Sequence, residues 1–202
     1  RLYHSDAISS RIMDIVTGSG GIDVCSGPDT TLYVRNENDR FTLSLDTSGD
    51  PLFKRGIKQA VTPAPIRENL AYAILTLAGF TTDGIVIDPM CGSGTFSIEA
   101  AMIKTGTPPG FYRDFAFEHL PGFSKKTFQY FKKEAAQKNR PVGIPEIFAS
   151  DLDADAVRAI RQNCKVNEFA RTIAVDHSDF FSITPDRFNH GRKGVIVLNP
   201  PY

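Results

Sequence analysis

The fold of this chain is decided by the stretch IVIDPMCGSGT, which runs from residue 85 to residue 95. A short apolar run that is typical of a buried strand occupies residues 85–88, and a helical pattern follows from Thr95 to Lys104. The loop between them contains Gly92 and Gly94, which let the backbone approach a ligand closely. The helix that follows offers unpaired N–H groups to a negatively charged group. The stretch therefore predicts a strand–loop–helix unit with a candidate binding site in its loop.

The alternation of strands and helices continues towards the C-terminus. Further strands are predicted at residues 147–151, 172–175 and 194–199, and a further helix from residue 154 to about residue 168. Short apolar runs that alternate with helices predict an α/β fold, in which helices cover a parallel sheet. Residues at about 105–145 are rich in Pro, Gly, Phe and Lys and break this rhythm. We interpret them as an insertion with one helix at about residues 125–138.

Residues 1–60 follow a different pattern and predict a small α+β appendage. An amphipathic helix is expected over residues 2–16, with glycines after it. A hairpin is expected from residues 32–34 and 41–45 with a polar turn at 36–39, and residues 46–51 have the composition of a linker. Residues 61–202 then form the second domain, which opens with a buried helix that has Pro65 in its first turn and ends at Gly79.

Composition and charge exclude several classes of protein. The 202 residues carry 23 Lys+Arg and 23 Asp+Glu, and this zero net charge excludes a chain that binds nucleic acid by bulk phosphate neutralisation, although a local basic face stays open. Cys25, Cys91 and Cys164 form no C-x-x-C pair, so we expect neither a disulfide framework nor a metal site, in a reducing cytosol. No apolar run in the sequence reaches the length of a membrane span, so we expect no membrane association.

Polar residues follow the predicted strands. Asp88, Asp151 and Asn199 stand directly at strand ends, and Asp179 lies shortly after the third strand. In an open α/β sheet, ligands bind outside the carboxyl ends of the strands. Capping of the next helix explains any one of these four residues but explains all four less well. We therefore expect them to line one crevice.

The residues near these strand ends narrow the ligand class. A dinucleotide site expects a third glycine at position 97, where this chain has Ser97, and an acid about twenty residues later, whereas Asp151 lies much further along. Asp151 and Asp153 could accept hydrogen bonds from ribose hydroxyls, although Asp153 could equally cap the helix that begins at residue 154. Asp179 could accept from an exocyclic amine, with Phe180 against a purine ring, or it could simply form an Asx-turn.

The final residues, Asn199-Pro200-Pro201-Tyr202, are the most specific feature. Two prolines after a strand prevent the ladder from continuing and force a rigid extended turn. The Asn199 side-chain oxygen and the Pro200 carbonyl could then hold both hydrogens of an exocyclic base amine while its nitrogen attacks a methyl group. Tyr202 could stack on an extruded base. The alternative is a plain turn that ends the strand.

These motifs together resemble the S-adenosylmethionine-dependent methyltransferases that modify exocyclic amines of nucleic-acid bases. The closer resemblance is to the bacterial THUMP-domain RNA methyltransferases that make N2-methylguanosine in 23S ribosomal RNA, and residues 44–56 and 65–71 and the insertion support it. The resemblance implies a doubly wound, Rossmann-like class I methyltransferase sheet that stops after its fourth strand. Because the chain starts at Arg1 and stops at Tyr202, we expect a fragment without most of the THUMP domain and the last three strands.

The resemblance also implies a role for each motif. The methionine end of S-adenosylmethionine would be bound by Asp88, Gly92 and Gly94. The same loop contains Pro89, Cys91 and Thr95. Asp151 would hold the ribose, and Asp179 with Phe180 would hold the adenine. The catalytic set would be Asn199, Pro200, Pro201 and Tyr202, which hold the base. The product would be S-adenosylhomocysteine, the partner would be RNA, and no metal or general base would be needed.

Several alternatives remain open on the sequence. Cys91 could be a nucleophile, but we interpret it as a small packing residue because covalent catalysis serves ring carbons rather than amines. Lysines 54, 58, 125, 126, 132 and 133, with the aromatic residues among them, could contact RNA or could form a solvated surface over buried aromatics. The chain could be a binding module without turnover or an adenine-N6 DNA methyltransferase. We also expect this fragment alone to be inactive and to self-associate through the edge strand that contains residues 195–198.

Overall fold

The computed structural model describes residues 5–18, 30–62, 65–137, 146–188, 191 and 193–200. In chain order, the described elements are α1 (Ser5–Gly18), β1 (Leu32–Glu37), β2 (Arg40–Leu45), α2 (Glu68–Leu77), β3 (Ile85–Asp88), α3 (Thr95–Thr105), α4 (Lys125–Gln137), β4 (Ile147–Asp151), α5 (Ala154–Val166), β5 (Ile173–His177) and β6 (Gly194–Ile196). Short 3-10 turns lie at Ala116–His119, Glu168–Thr172, Phe180–Ser182 and Pro185–Phe188.

The four later strands form one parallel sheet in the order β5-β4-β3-β6. Ile147 and Ala149 of β4 and Val86 of β3 are buried in a core shared with α2, α3 and α5. Side chains alternate along a strand, so Phe148 lies on the opposite face, where it packs against Phe188 at 4.9 Å between ring centroids. The predicted Rossmann-like α/β fold is confirmed.

The bounds of the central strands match the prediction, and those of the outer elements differ. β3 and β4 coincide with the predicted strands, whereas β5 begins one residue late and runs on to His177. The predicted sixth strand is shorter and ends at Ile196, although the N–H of Val197 still donates to the carbonyl of Ile87 at 2.9 Å. The helix predicted to about residue 168 ends at Val166, and a 3-10 turn follows it.

The prediction for α2 was wrong at its start and only partly right about its buried face. The helix begins at Glu68 rather than at Pro65, because Arg67 before it has extended backbone. Ala71 and Leu75 form the buried face, whereas Leu77 is 87% exposed. Ala71 is fully buried in the core although its side chain is small, and Ile74, which the helical spacing predicted, is half-buried against the same core.

The first part of the chain has the predicted elements with altered bounds. β1 and β2 pair as an antiparallel hairpin through a two-residue turn, in which Asn38 and Asp39 have φ of 53° and 61°. Such a turn matches the twist of the strands, and β1 runs three residues further than predicted while β2 begins one residue earlier. Every residue of the hairpin is exposed, and α1 has no buried residue among those the structure describes. Residues 19–29, with the predicted glycine stop and Cys25, lie outside the described residues.

Residues 46–51, predicted as a linker, are held against the insertion. The Arg113 guanidinium, which is 6% exposed, donates to the backbone carbonyls of Ser48, Asp50, Pro51 and Lys54. The N–H of Phe117 donates to the carbonyl of Thr47 at 3.1 Å. A single buried cation therefore satisfies several carbonyls of a segment without regular structure.

Within the described part of the chain, no helix has the length and apolarity that crossing a bilayer requires.

Candidate active site

A cleft of about 690 Å³ opens where the strands of the parallel sheet end. Its size lies within the range of small-molecule sites. Loops that follow β3, β4, β5 and β6 line it, together with residues just before α2. The lining includes Thr62, Pro65, Pro89, Cys91, Gly92, Thr95, Asp151, Asp153, Asp179, Phe180, Phe181, Asn199 and Pro200.

The glycine loop, residues 89–94, needs both of its glycines. Gly92 and Gly94 have φ of 53° and 86°, which residues with a side chain rarely adopt. A Cβ at position 94 would lie 2.6 Å from side-chain atoms of Ile160 in α5, and one at position 92 would lie 3.1 Å from the Thr62 hydroxyl. The loop is also bonded to β4, since the Cys91 N–H donates to the Ser150 carbonyl at 3.0 Å. The backbone is thereby fixed in close contact with α5 and with the cleft.

Asp151, half-buried at the end of β4, connects two loops of the cleft. One carboxylate oxygen accepts the Gly92 N–H at 2.8 Å, and the other accepts the Asp153 N–H at 2.9 Å. Asp153 in turn accepts the N–H of Asp155 at 2.8 Å, which confirms the alternative that it caps α5. Of the two carboxylates, Asp151 is the better candidate for a ligand acceptor, because it is half-buried at the end of β4 and adjoins the glycine loop, whereas Asp153 is exposed.

Asp179 and the two phenylalanines after it form another wall. One oxygen of Asp179 accepts the Phe181 N–H at 3.0 Å, which is the Asx-turn that the sequence left open, while the carboxylate still lines the cleft. Phe180 is half-buried, and Phe181 is 88% exposed beside it. The sequence reasoning missed Phe181, although two adjacent phenylalanines after a strand-end acid were a visible signal.

Asp88 lies behind the glycine loop and does not itself line the cleft. One of its oxygens accepts both the N–H and the hydroxyl of Ser97, at 3.2 and 2.7 Å, and the other has no partner among the described residues. Burial raises the pKa of Asp88 from 3.8 to about 7, although the hydrogen bonds of Ser97 act in the opposite direction. Ser97 occupies the position of the third glycine of a dinucleotide loop, and its hydroxyl here has a structural partner.

Cys91 faces the cleft as a neutral thiol. It is 7% exposed, and burial raises the pKa of this thiol far above its ordinary value, with the charges of Asp88 and Asp151 adding to the effect. Because the thiolate is the reactive form, a thiol kept protonated is a poor nucleophile. The geometry supports the interpretation of Cys91 as a packing residue.

A family model for the RMKL-like methyltransferase domain matches residues 55–202. The chain belongs to the RMKL-like methyltransferase family. A curated relative, the ribosomal RNA large subunit methyltransferase K/L of Acinetobacter baumannii (strain AYE), is 38% identical over 98% of this chain and 28% of its own length. The chain thus spans little more than a quarter of that relative.

Solved structures of similar proteins support the methyltransferase fold. SMU.472, described as a putative methyltransferase and solved as a complex with SAH, is 30% identical with a TM-score of 0.80, and the match covers 100% of this chain and 54% of the SMU.472 chain. A protein of Listeria monocytogenes str. 4b F2365, described as a predicted N6-adenine-specific DNA methylase, is 33% identical with a TM-score of 0.74. That match covers 85% of this chain and 44% of the other.

In this RMKL-like methyltransferase domain, most of the site residues predicted from sequence meet at one cleft. The predicted residues that line this cleft are Pro89, Cys91, Gly92, Thr95, Asp151, Asp179, Phe180, Asn199 and Pro200. Asp88 and Gly94 shape the loop from behind. Pro201 and Tyr202 lie outside the described residues.

Asn163 of α5, which the sequence reasoning missed, supports the glycine loop of the cleft. It is fully buried, and its oxygen accepts the N–H groups of Gln59 and Ala60 at 2.9 and 3.0 Å. Its NH₂ donates to the carbonyls of Ala60 and Ser93 at 2.9 and 3.1 Å. One amide therefore joins the segment before α2 to the glycine loop. The only sequence signal was an asparagine in a helix interior, where that residue type is a weak helix former.

Lys58 is also part of the supporting structure rather than an RNA contact. Its ammonium donates to the Thr95 hydroxyl at 2.6 Å and pairs with Glu68 at 3.1 Å, and its side chain is 9% exposed. Arg55 pairs with the buried Glu99 beside it, at 3.0 Å. The expectation that Lys58 could contact RNA phosphates is therefore wrong, because this cation is already enclosed. Both pairs border a second, larger cleft of about 940 Å³ between residues 46–68 and the insertion.

Proposed function

We propose that this chain is the catalytic core of an enzyme that transfers a methyl group from S-adenosylmethionine to an exocyclic amine of an RNA base, guanine N2 of 23S ribosomal RNA. The observation that carries the proposal is that Asn199 and Pro200 line the same cleft as Asp151 and the glycine loop. A group that accepts hydrogen bonds from an amine thus lies beside a pocket suited to an adenosine derivative.

The described residues fit the cofactor in three respects. The glycine loop brings its backbone to the cleft wall at a position where a Cβ would meet Thr62. The Asp151 carboxylate lines the cleft, and within the described part of the chain each of its oxygens accepts one hydrogen bond, which leaves lone pairs for a ligand. Asp179 and the two phenylalanines supply an acceptor and apolar ring surface. S-adenosylmethionine, when bound, supplies an electrophilic methyl group.

The roles that we assign to the chain follow from these positions. Asp151 accepts from the ribose hydroxyls, and Asp179 with Phe180 holds the adenine. The Asn199 side-chain oxygen and the Pro200 carbonyl accept the two hydrogens of the base amine, so that its lone pair is directed away from the ring. The nitrogen loses its proton only after it has gained the methyl group, so no general base is required before transfer.

The central test changes Asn199 in the natural gene product that contains this sequence. Because its acceptor acts on the reacting amine, we expect Asn199→Ala to lower turnover about 10²-fold or more and to change cofactor affinity only a few-fold. Methyl transfer from labelled S-adenosylmethionine to separated 23S, 16S and transfer RNA measures the first, and calorimetry measures the second. Asn36→Ala, in the exposed hairpin, is the matched control and should leave both unchanged. A wild-type rate for Asn199→Ala would remove the proposed role.

Adenine N6 is the second candidate target, because the Listeria protein described as a predicted N6-adenine-specific DNA methylase is similar over most of this chain. The same turn could hold either amine. Offering DNA as well as RNA and analysing the labelled nucleosides by mass separates the two, since N2-methylguanosine from RNA supports the first proposal and N6-methyl-2′-deoxyadenosine from DNA the second. Cofactor binding without any labelled nucleic acid would instead indicate a binding module.

A further inference from the structure

Helix α4 carries a net positive charge, whereas the net charge of the whole chain is zero. Its 13 residues contain four lysines and one carboxylate, that of Glu134, whereas the whole sequence has 23 cationic and 23 anionic residues. The lysines are at positions 125, 126, 132 and 133. The zero net charge of the chain did not exclude a local basic surface, and α4 of the insertion provides one.

The inner face of α4 is occupied by the insertion's own aromatic cluster. Phe128 packs edge-on against Phe117 and Phe123, with ring centroids 5.3 and 5.7 Å apart, and against Phe115 at 6.3 Å. The Lys132 ammonium lies over the Phe128 ring at 4.9 Å. Phe115 also lines the larger cleft, so this packing fixes α4 beside the body of the domain.

Two uncovered rings of α4 lie near exposed lysines: Tyr130 is on the side away from Phe128, and Phe131, three residues after Phe128, is at the edge between the two sides. Tyr130 and Phe131 are 58% and 59% exposed, and their ring centroids are 5.8 Å apart. Lys126 and Lys133 are exposed and share a helix face with Tyr130, because they lie four residues before it and three after it. The Tyr130 hydroxyl donates to Glu134 at 3.0 Å, which orients the ring. We call Lys126, Tyr130 and Lys133, together with Phe131 at the edge of this side in contact with Tyr130, the outer α4 face.

We propose that the outer α4 face binds a single-stranded segment of the RNA substrate, an inference that rests on the proposed function. Lysines neutralise phosphates, and exposed rings stack on unpaired bases whatever their sequence. The two lysines complement the charge of a nucleic-acid backbone, and the two rings match its bases. An anionic membrane would also attract lysines, but the apolar face that would insert is already packed by Phe128, so RNA is the better match.

The experiment measures binding of the 202-residue chain to a labelled, unstructured oligouridine of about 16 nucleotides, at several salt concentrations. We expect Lys126→Glu with Lys133→Glu to weaken binding at least tenfold. The slope of log affinity against log salt should fall by about 1.4, because each lost phosphate contact on a single strand contributes about 0.7. Tyr130→Ala with Phe131→Ala should weaken binding about fivefold or more and leave the slope unchanged, since stacking releases no counterions.

The matched control is Lys165→Glu with Arg171→Glu, which reverses two exposed charges elsewhere on the domain. Binding within twofold of wild type in this control supports the proposal, and an equal loss in both charge-reversed variants overturns it. Calorimetry with S-adenosylmethionine should give the same affinity for all variants, which shows that they fold. Absence of oligouridine binding by the unmodified chain, or binding to vesicles of anionic lipid with none to the RNA, also overturns the proposal.

Assays on the natural gene product keep this proposal separate from the proposed function. If the enzyme methylates RNA with an unchanged KM when the outer α4 face is altered, the surface is wrong and the function stands. If no RNA is methylated but the altered face still weakens oligouridine binding, the surface stands and the proposed reaction fails.

Discussion

At the scale of single residues, Asp151 is the group whose loss should affect the cofactor most. We expect Asp151→Ala to weaken binding of S-adenosylmethionine at least tenfold, because each buried ribose hydroxyl left unpaired costs about 1–3 kcal/mol. Calorimetric titration measures the effect. The control is Asp153→Ala, which removes the cap of α5 and should cost about 1 kcal/mol of stability while cofactor affinity stays within a few-fold. Unchanged affinity for Asp151→Ala would disprove the assignment.

Asp88 should make the stability of the fold depend on pH. Its pKa is raised from 3.8 to about 7 in the folded state, mainly by burial, so the folded protein binds more protons than the unfolded chain between these values. Its favourable contribution is therefore present below about pH 4 and is lost as the pH rises through 7. We expect Asp88→Asn to gain stability relative to wild type over this window, by about 4 kcal/mol between pH 4 and pH 8, because each unit of pKa difference corresponds to about 1.4 kcal/mol.

Urea unfolding at pH 5 and pH 8 measures this effect. Asp114→Asn is the matched control, because Asp114 is exposed, and its stability should follow that of wild type at both values. If the difference between Asp88→Asn and wild type is the same at both pH values, the raised pKa of Asp88 is not the cause.

The sequence predicted Asp151, Asp179 and Asn199 as neighbours because parallel strands end at one edge of a sheet, so position along the chain determines position at that edge. Asn163 and Lys58 could not be found in this way. Asn163 forms hydrogen bonds with backbone N–H and carbonyl groups of residues 59, 60 and 93. Because backbone groups are common to nearly all residue types, the sequence does not mark these partners. Lys58 meets Glu68 and Thr95 only after α2 and α3 have packed.

At the scale of elements, the glycine loop depends on its contact with α5. We expect Gly94→Ala to destabilise the fold by about 3 kcal/mol or more, because it combines a strained backbone with overlap on Ile160. Gly79→Ala isolates the first effect, since Gly79 has φ of 75° and open space around its Cβ position. It should cost only about 1 kcal/mol. Equal losses in urea unfolding would show that the Ile160 contact is unimportant.

The accuracy of the predicted elements depended on their burial. β3 and β4 are central, and continuous apolar runs bounded by polar residues determined their ends. α2 was placed three residues early because Ile66 and Leu70 continue the helical spacing, whereas the packed face uses Ala71 and Leu75. The hairpin turn was predicted too long because the left-handed backbone of Asn38 and Asp39 is a local conformation that polar composition does not specify.

At the scale of the whole molecule, the insertion links the two parts that the sequence separated. Arg113 and Phe117 bond residues 47–54, and Phe115 and Ala116 line the larger cleft with Thr30 and Thr31. These contacts use backbone carbonyls, so the composition of residues 46–51 suggested only a linker. The division at residue 60 therefore stays a prediction.

The exposed edge of the sheet should make the 202-residue chain self-associate. Within the described residues β6 pairs only with β3, and Ile196 at its end and Leu198 two residues after it are 64% and 46% exposed. An apolar strand with unpaired N–H and carbonyl groups is a template for pairing with another copy.

We expect light scattering of this chain to show a mass that rises with concentration. Ile196→Lys should suppress that rise, because a charge on an edge strand opposes pairing. Ile15→Lys, at a residue of α1 that is 60% exposed, is the matched control and should leave association unchanged. A constant monomer mass for the unmodified chain, or equal suppression by both lysine variants, would show that the β6 edge does not drive association.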